Sequence, residues 1–183
     1  MEREFDYDIL PEIKNRWSPR AFASDPIAKE DVRALLEAAR YAPSCFNEQP
    51  WRFILAENDE TLVKMRSVLA PMNQKWANRA PLLLMILAKK TFEANGKANA
   101  WHMFDTGTAW GYLSLEAQRR GLITHAMGGF SQTMARDIYR IPEDYEIVSI
   151  VAVGKRGDEG QLDKELQERE SPGLRKNISD LLI

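Results

Sequence analysis

LLLMILAK, residues 82–89, is an apolar run that ends only at Lys89. Even when the preceding Ala80 and Pro81 are added, it falls far short of the ~20 residues a membrane helix needs. Apolar side chains at successive positions suit a strand covered on both faces, so its sheet needs a layer on each side. WRFILAE (51–57) and IVSIVAVG (147–154) read as further strands, and ITHAMGGF (123–130) begins as a strand and ends in paired glycines. Between them lie helical patterns. KEDVRALLEAAR (29–40) sets Val32, Leu35, Leu36 and Ala39 on one stripe. ETLVKMRSVL (60–69) is a helix, and QTMARDIYRIP (132–142) is a short helix stopped by Pro142. ANAWHMFDTGTAWGYLSLEAQRRG (98–121) reads as one long helix, apolar or small all round and hence central and mostly buried, with Gly121 as its C-cap. DYDILPEIKN (6–15) is a short helix or turn, APMNQKWANRAP (70–81) a polar connection, and EGQLDKELQERE (159–170) a solvated charged face. Helices interleaved with buried strands make a layered α/β or α+β domain, and 183 residues suit one domain spanning 1–183.

Composition narrows the function. With 28% charged residues and a net charge of −2, the chain lacks the basic footprint of a nucleic-acid or anionic-membrane binder. Cys45 is the single cysteine, and MEREFDYD is acidic where a signal peptide would be basic and then apolar, so the expected location is the cytoplasm. His102, His125 and Cys45 have no metal-site spacing, and no metal is expected.

Three stretches can carry chemistry. RWSPRAF (16–22) places Arg16, Ser18 and Arg20 two apart, and Pro19 favours an extended Ser18, so all three aim to one side. Two guanidinium forks and a hydroxyl match a phosphate, although two solvated arginines would read the same way. APSCFNEQPW (42–51) gathers Ser44, Asn47 and Gln49 between prolines, which suits a heterocycle edge or an ordinary loop bonding its own backbone. In AMGGF (126–130), Gly128 and Gly129 allow unusual backbone angles and close approach of a flat ligand. Trp51, Trp76, Trp101 and Trp110 are either core or a stacking platform.

In this order the pieces resemble the nitroreductase family of flavin-dependent oxidoreductases. The resemblance runs from R-x-S-x-R-x-F at Arg16–Phe22 through A-P-S-x-x-N-x-Q-P-W at Ala42–Trp51 to the N-Q…AP-L-L segment from Asn73. D-T-G-T-A-W-x-Y-L-S-L-E-A-Q-R-R-G-L (105–122), M-G-G-F (127–130) and I-P-E-D-Y-E-I…V-A-V-G (141–154) complete it. It implies a three-layer α/β/α fold of the α+β class, with a mostly antiparallel sheet, and a homodimer holding two FMN molecules at its interface. The apolar ISDLLI end has no evident place in its own core and either docks on a partner subunit or folds back on its own chain as a strand or turn; the implied fold exchanges the C-terminal tail with the partner. Arg16, Ser18 and Arg20 would hold the FMN phosphate and the polar edge of the flavin. Ser44, Asn47 and Gln49 would lie beside the ring, often from the partner subunit, and Asn73 would approach it. Met127, Gly128 and Gly129 would pass beneath, donating backbone N–H near N5. Arg175 in GLRKN would close on the phosphate. Two positions depart from the family: Asn177 replaces the proline of R-K-P-L, and Gly128 stands where some members carry glutamate.

The implied activity is ping-pong hydride transfer from NADH or NADPH, through flavin N5, to a nitroaromatic, quinone or similar acceptor. No catalytic side chain is needed. The alternatives are a flavin-binding module without turnover and a specialised enzyme of the same fold, such as a reductive dehalogenase.

Overall fold

A computed structural model describes residues 3–183. The apolar run LLLMILAK forms β2 (Leu82–Lys89), buried along its length until Lys89. It pairs on one side with β1 (Trp51–Ala56) and on the other with β4 (Tyr145–Gly154), which in turn pairs with β3 (Ile123–Met127). The order β1-β2-β4-β3 is antiparallel throughout, leaving β1 and β3 as the edges.

Alternation along β2 divides the core in two. Leu83, Met85 and Leu87 face one layer, while Leu82, Leu84 and Ile86 face the other. The first layer holds α3 (Asp59–Ser67), α4 (Pro71–Ala77) and α6 (Gln132–Tyr139), through Leu62, Met65, Trp76 and Ala135. The second holds α2 (Lys29–Arg40) and α5 (His102–Arg119), through Val32, Leu35, Ala109 and Leu113. This is the expected three-layer arrangement. The pairing of β2 with β4 slips between Ile86 and Leu87, and the register passes over Val148. An extra residue there lets Ile147 and Ile150, three apart, reach the same layer.

Several elements differ from their sequence reading. The long helix begins at His102 instead of Ala98, because residues 90–99 fold into a hairpin in which Asn99 N–H meets the Lys90 carbonyl at 2.7 Å. It ends as expected: Gly121 takes φ +72, and the N–H groups of Gly121 and Leu122 bond the carbonyls of Gln118 and Ala117. In the single chain α5 buries one face only, leaving Phe104 72% and Tyr112 43% exposed. Residues 71–77, read as a polar connection, form α4, whose Pro71 suits the first helical position and whose Trp76 is buried. The charged stretch 159–170 is not simply solvated, since Leu162, Leu166 and Glu170 are buried. A short helix near the N-terminus, α1 (Pro11–Asn15), precedes the arginine segment, and α7 (Lys164–Gln167) follows the sheet. No helix among the described residues is long and apolar enough to cross a membrane.

Candidate functional site

The RWSPRAF segment runs extended after α1, at the β3 edge of the sheet. Arg16 has φ −70 and ψ 128, and Pro19's carbonyl accepts from Nδ1–H of His125 in β3 at 2.9 Å. A carbonyl can only accept, so the neutral ring carries its proton on Nδ1. His125 in turn packs on Trp76 of α4, ring centres 4.4 Å apart, and Trp76 stacks on Phe22 at 6.1 Å. Burial depresses the His125 pKa to about 4, aided by the Arg20 charge and opposed by the bond to Pro19.

This imidazole makes the segment's anchorage sensitive to pH. An unfolded chain protonates His125 near 6.5. Between there and about 4 the unfolded chain holds a proton that the folded chain does not. Its share of stability is therefore full above the unfolded value and is lost as pH falls through that window, by about 3 kcal/mol at the lower end. His125→Asn keeps an N–H donor and removes the titration, so its urea stability should fall less between about pH 7 and about pH 4.5. Parallel pH profiles for variant and parent would refute this.

The other anchor comes from the far end of the chain. Glu170 is buried, and its Oε1 accepts from the backbone N–H of Arg20 at 2.7 Å and of Ala21 at 2.9 Å. Its Oε2 lies 3.8 Å from Nη1 of Arg20 and makes no hydrogen bond. Gly157 sits against the same segment, where an added Cβ would fall 2.6 Å from the carbonyl carbon of Phe22. Glu170→Ala leaves two shielded N–H groups without acceptors, at about 1–3 kcal/mol each. Chemical denaturation should show a loss of about 3 kcal/mol for it, and a smaller loss for Glu170→Gln, which keeps the acceptor. A Glu170→Ala protein as stable as its parent would refute the tether.

Beyond His125, β3 leads into the paired glycines. Met127 is buried in the core, so only its backbone can face a ligand. Neither Gly128 nor Gly129 has a positive φ, so the left-handed freedom that glycine allows is not used here. What they provide is space. A Cβ on Gly128 would meet nothing within 4 Å, whereas one on Gly129 would lie 2.8 Å from Nδ2 of Asn73. Asn73 donates that Nδ2 to the Gly129 carbonyl at 2.9 Å, which binds α4 to the turn.

The loop 44–49 is tightly held and strained. Phe46, Asn47 and Gln49 all take left-handed backbone angles, φ 52, 57 and 52. Asparagine tolerates this, while the others cost about 1–3 kcal/mol each. The loop is fixed by Asp105 of α5, whose Oδ2 accepts from Cys45 N–H at 3.0 Å, and by Ser44 Oγ accepting from Gln49 N–H at 3.0 Å. Gln49 Nε2 donates to the Asn47 carbonyl, also at 3.0 Å. Of the three candidate side chains here, only Asn47 makes no hydrogen bond of its own, and it is exposed. Phe46, 91% exposed, packs edge-on against Phe92.

These residues do not converge in one chain. The loop 44–49 feeds β1, and Ser18, Arg20 and the glycines accompany β3, the opposite edge of the sheet. Three inter-strand steps separate those edges, about 14 Å. Arg175 instead joins Arg16, and with Arg3 they line a cavity of about 730 Å³ beneath the tail. Burial first, and then the charges of Arg3 and Arg175, lower the Arg16 pKa. Arg20 is drawn toward Glu170 and toward the Arg169 carbonyl. Of the tryptophans, Trp51 and Trp76 are core and Trp101 is exposed. No group of three or more metal-ligating side chains occurs among the described residues. Glu170, His125, Asp105 and Arg3 escaped the sequence reading as parts of this site, and of these only Asp105, which opens the quoted D-T-G-T-A-W motif, carried a local signal.

Comparison with known proteins places this arrangement. The family model for the nitroreductase family matches residues 13–74 and 68–155. A crystal structure described as an oxidoreductase containing FMN superposes with a TM-score of 0.94 at 35% identity, covering 99% of this chain and 93% of that one. A nitroreductase family protein from Clostridium difficile 630 shares the fold, with a TM-score of 0.74 at 23% identity over 97% of this chain and 98% of that one. The NADH dehydrogenase of Thermus thermophilus is 28% identical over 176 residues, 79% of this chain and 85% of its own. By fold, motif order and family match, the chain belongs to the nitroreductase family.

Proposed function

We propose that the protein is an FMN-dependent oxidoreductase that oxidises NADH or NADPH and reduces small electron-poor acceptors such as nitroaromatics or quinones in a ping-pong cycle. The observation that carries this reading is the set of arginines around Arg16. Half-buried and without an acid, Arg16 stands beside Arg3 and Arg175, and that chemistry fits the phosphate of FMN. The 35%-identical relative described as containing FMN supports the same group. FMN supplies the hydride transfer when bound, so no nucleophile or metal is required of the chain.

The chain's own residues bind and orient. Arg16 and Arg175 hold the phosphate end. Ser18 and Arg20, fixed through His125 and Glu170, present a hydroxyl and a cation to the ring's polar edge. Gly128 leaves room for a flat group, and Gly129 makes way for Asn73, which braces the turn. Ser44, Asn47 and Gln49 serve the site of a second copy, since they lie at the other sheet edge of their own chain. The protein is accordingly a homodimer with one site at each end of the interface, and the end of the tail, with Leu181 and Leu182 exposed, reaches over the partner.

Anaerobic titration tests the activity. FMN-loaded protein should bleach on adding NADH or NADPH and regain its yellow colour on adding a quinone or nitroaromatic. Loaded protein inert to both nucleotides would be a flavin-binding module instead, and a protein that takes up no FMN would overturn the reading.

A further inference from the structure

Three arginines meet beneath the tail with no acid paired to any of them. The eight ion pairs among the described residues include neither Arg3 nor Arg16 nor Arg175. Glu4 and Asp6 line the same cavity without pairing with them. Arg3 spends Nη1 on the carbonyls of Lys14 and Arg16, at 3.1 and 3.0 Å. Its Nε and Nη2 are closed off from solvent and have no partner. Burial, and then the charge of Arg175, lowers the Arg3 pKa. Unpartnered donors carry their full desolvation penalty, and three neighbouring cations repel one another. A dianion with several acceptor oxygens relieves the repulsion.

We infer that Arg3 is the third arm of a phosphate-monoester site formed with Arg16 and Arg175. A phosphate monoester offers three acceptor oxygens and about −1.5 to −2 charges at neutral pH, matching three forks better than a carboxylate could. Arg3 adds its charge to that site from the cavity wall, while its Nη1 holds the backbone that presents Arg16. Two molecules of the proposed reaction bring such a group: FMN by its terminal phosphate, and NADPH by its 2′-phosphate. The inference rests on the flavin reading for the identity of the ligand, with FMN the expected one.

The test compares ligands with and without the phosphate, on parent, Arg3→Gln and Arg3→Lys proteins. Flavin fluorescence quenching gives Kd for FMN and riboflavin, and steady-state rates on FMN-loaded protein give KM for NADPH and NADH. We expect Arg3→Gln to weaken FMN about tenfold, to leave riboflavin unchanged, and to be partly rescued in Arg3→Lys. A change confined to the NADPH-to-NADH ratio would keep the site and assign it to the nucleotide. Equal weakening of FMN and riboflavin would reduce Arg3 to a support for the backbone and overturn the inference. So would a variant that moves neither ratio. A parent that cannot distinguish FMN from riboflavin would remove the flavin-phosphate reading itself, leaving the nucleotide comparison to decide the site.

Discussion

Arg16→Ala should cost the protein its flavin while leaving its fold intact. A hydrogen bond to a charged group is worth about 1.5–3 kcal/mol, and Arg16 can make a forked pair, so FMN affinity should fall about a hundredfold. The flavin-free protein should behave in the opposite way. Arg16 has no ion pair, and its neighbours Arg3 and Arg175 are cations. Removing it relieves repulsion, and the thermal midpoint of the flavin-free form should hold or rise. A residue kept for packing would lower both quantities together. An Arg16→Ala protein that still binds FMN as tightly as its parent would remove the phosphate from this end of the molecule.

Gly111→Arg should be as damaging by a different route. Gly107 and Gly111 stand inside α5, where each glycine costs about 1 kcal/mol relative to alanine. Nothing within the chain explains them, since a Cβ at either position would meet no atom within 4 Å. The same face carries the exposed Phe104 and Tyr112. In the proposed homodimer, close approach of a second copy would account for both the missing side chains and the exposed aromatics. An arginine at position 111 would hold the copies apart and leave each chain folded. Size-exclusion chromatography with light scattering should therefore show a monomer. Activity should fall about a hundredfold, because each site would lose the loop contributed by the other chain. A variant that remains dimeric and active would show that α5 is not the contact.

Much of the fold was legible because the burial pattern along the strands is strong. The run 82–89 has apolar residues on both faces, which demands helices on both sides of the sheet. The Gly121 cap was legible for an equally local reason. Helix α4 was not, because it is short, Asn73, Gln74 and Lys75 interrupt its apolar residues, and Trp76 and Ala77 are its only buried residues. The candidate site was legible as separate motifs but not as an arrangement. Glu170 meets Arg20 across 150 residues and Asn73 meets Gly129 across 56, and no local spacing encodes either contact. Arg3 lies outside every recognisable motif, and only the buried, partnerless nitrogens of its side chain mark it. That the candidate residues lie on opposite sheet edges became visible only with the strand order.

Mixing two inactive chains shows whether one site draws on both edges of the sheet. One chain carries Arg16→Ala, damaging the half-site beside β3. The other carries Asn47→Asp with Gln49→Glu, damaging the loop before β1. Each alone should form an inactive dimer. Unfolded together and refolded in equal amounts, half of the dimers are mixed, and each mixed dimer regains one intact site of two, so about a quarter of parental activity should return. If every site were built within one chain, the mixture would remain as inactive as its components.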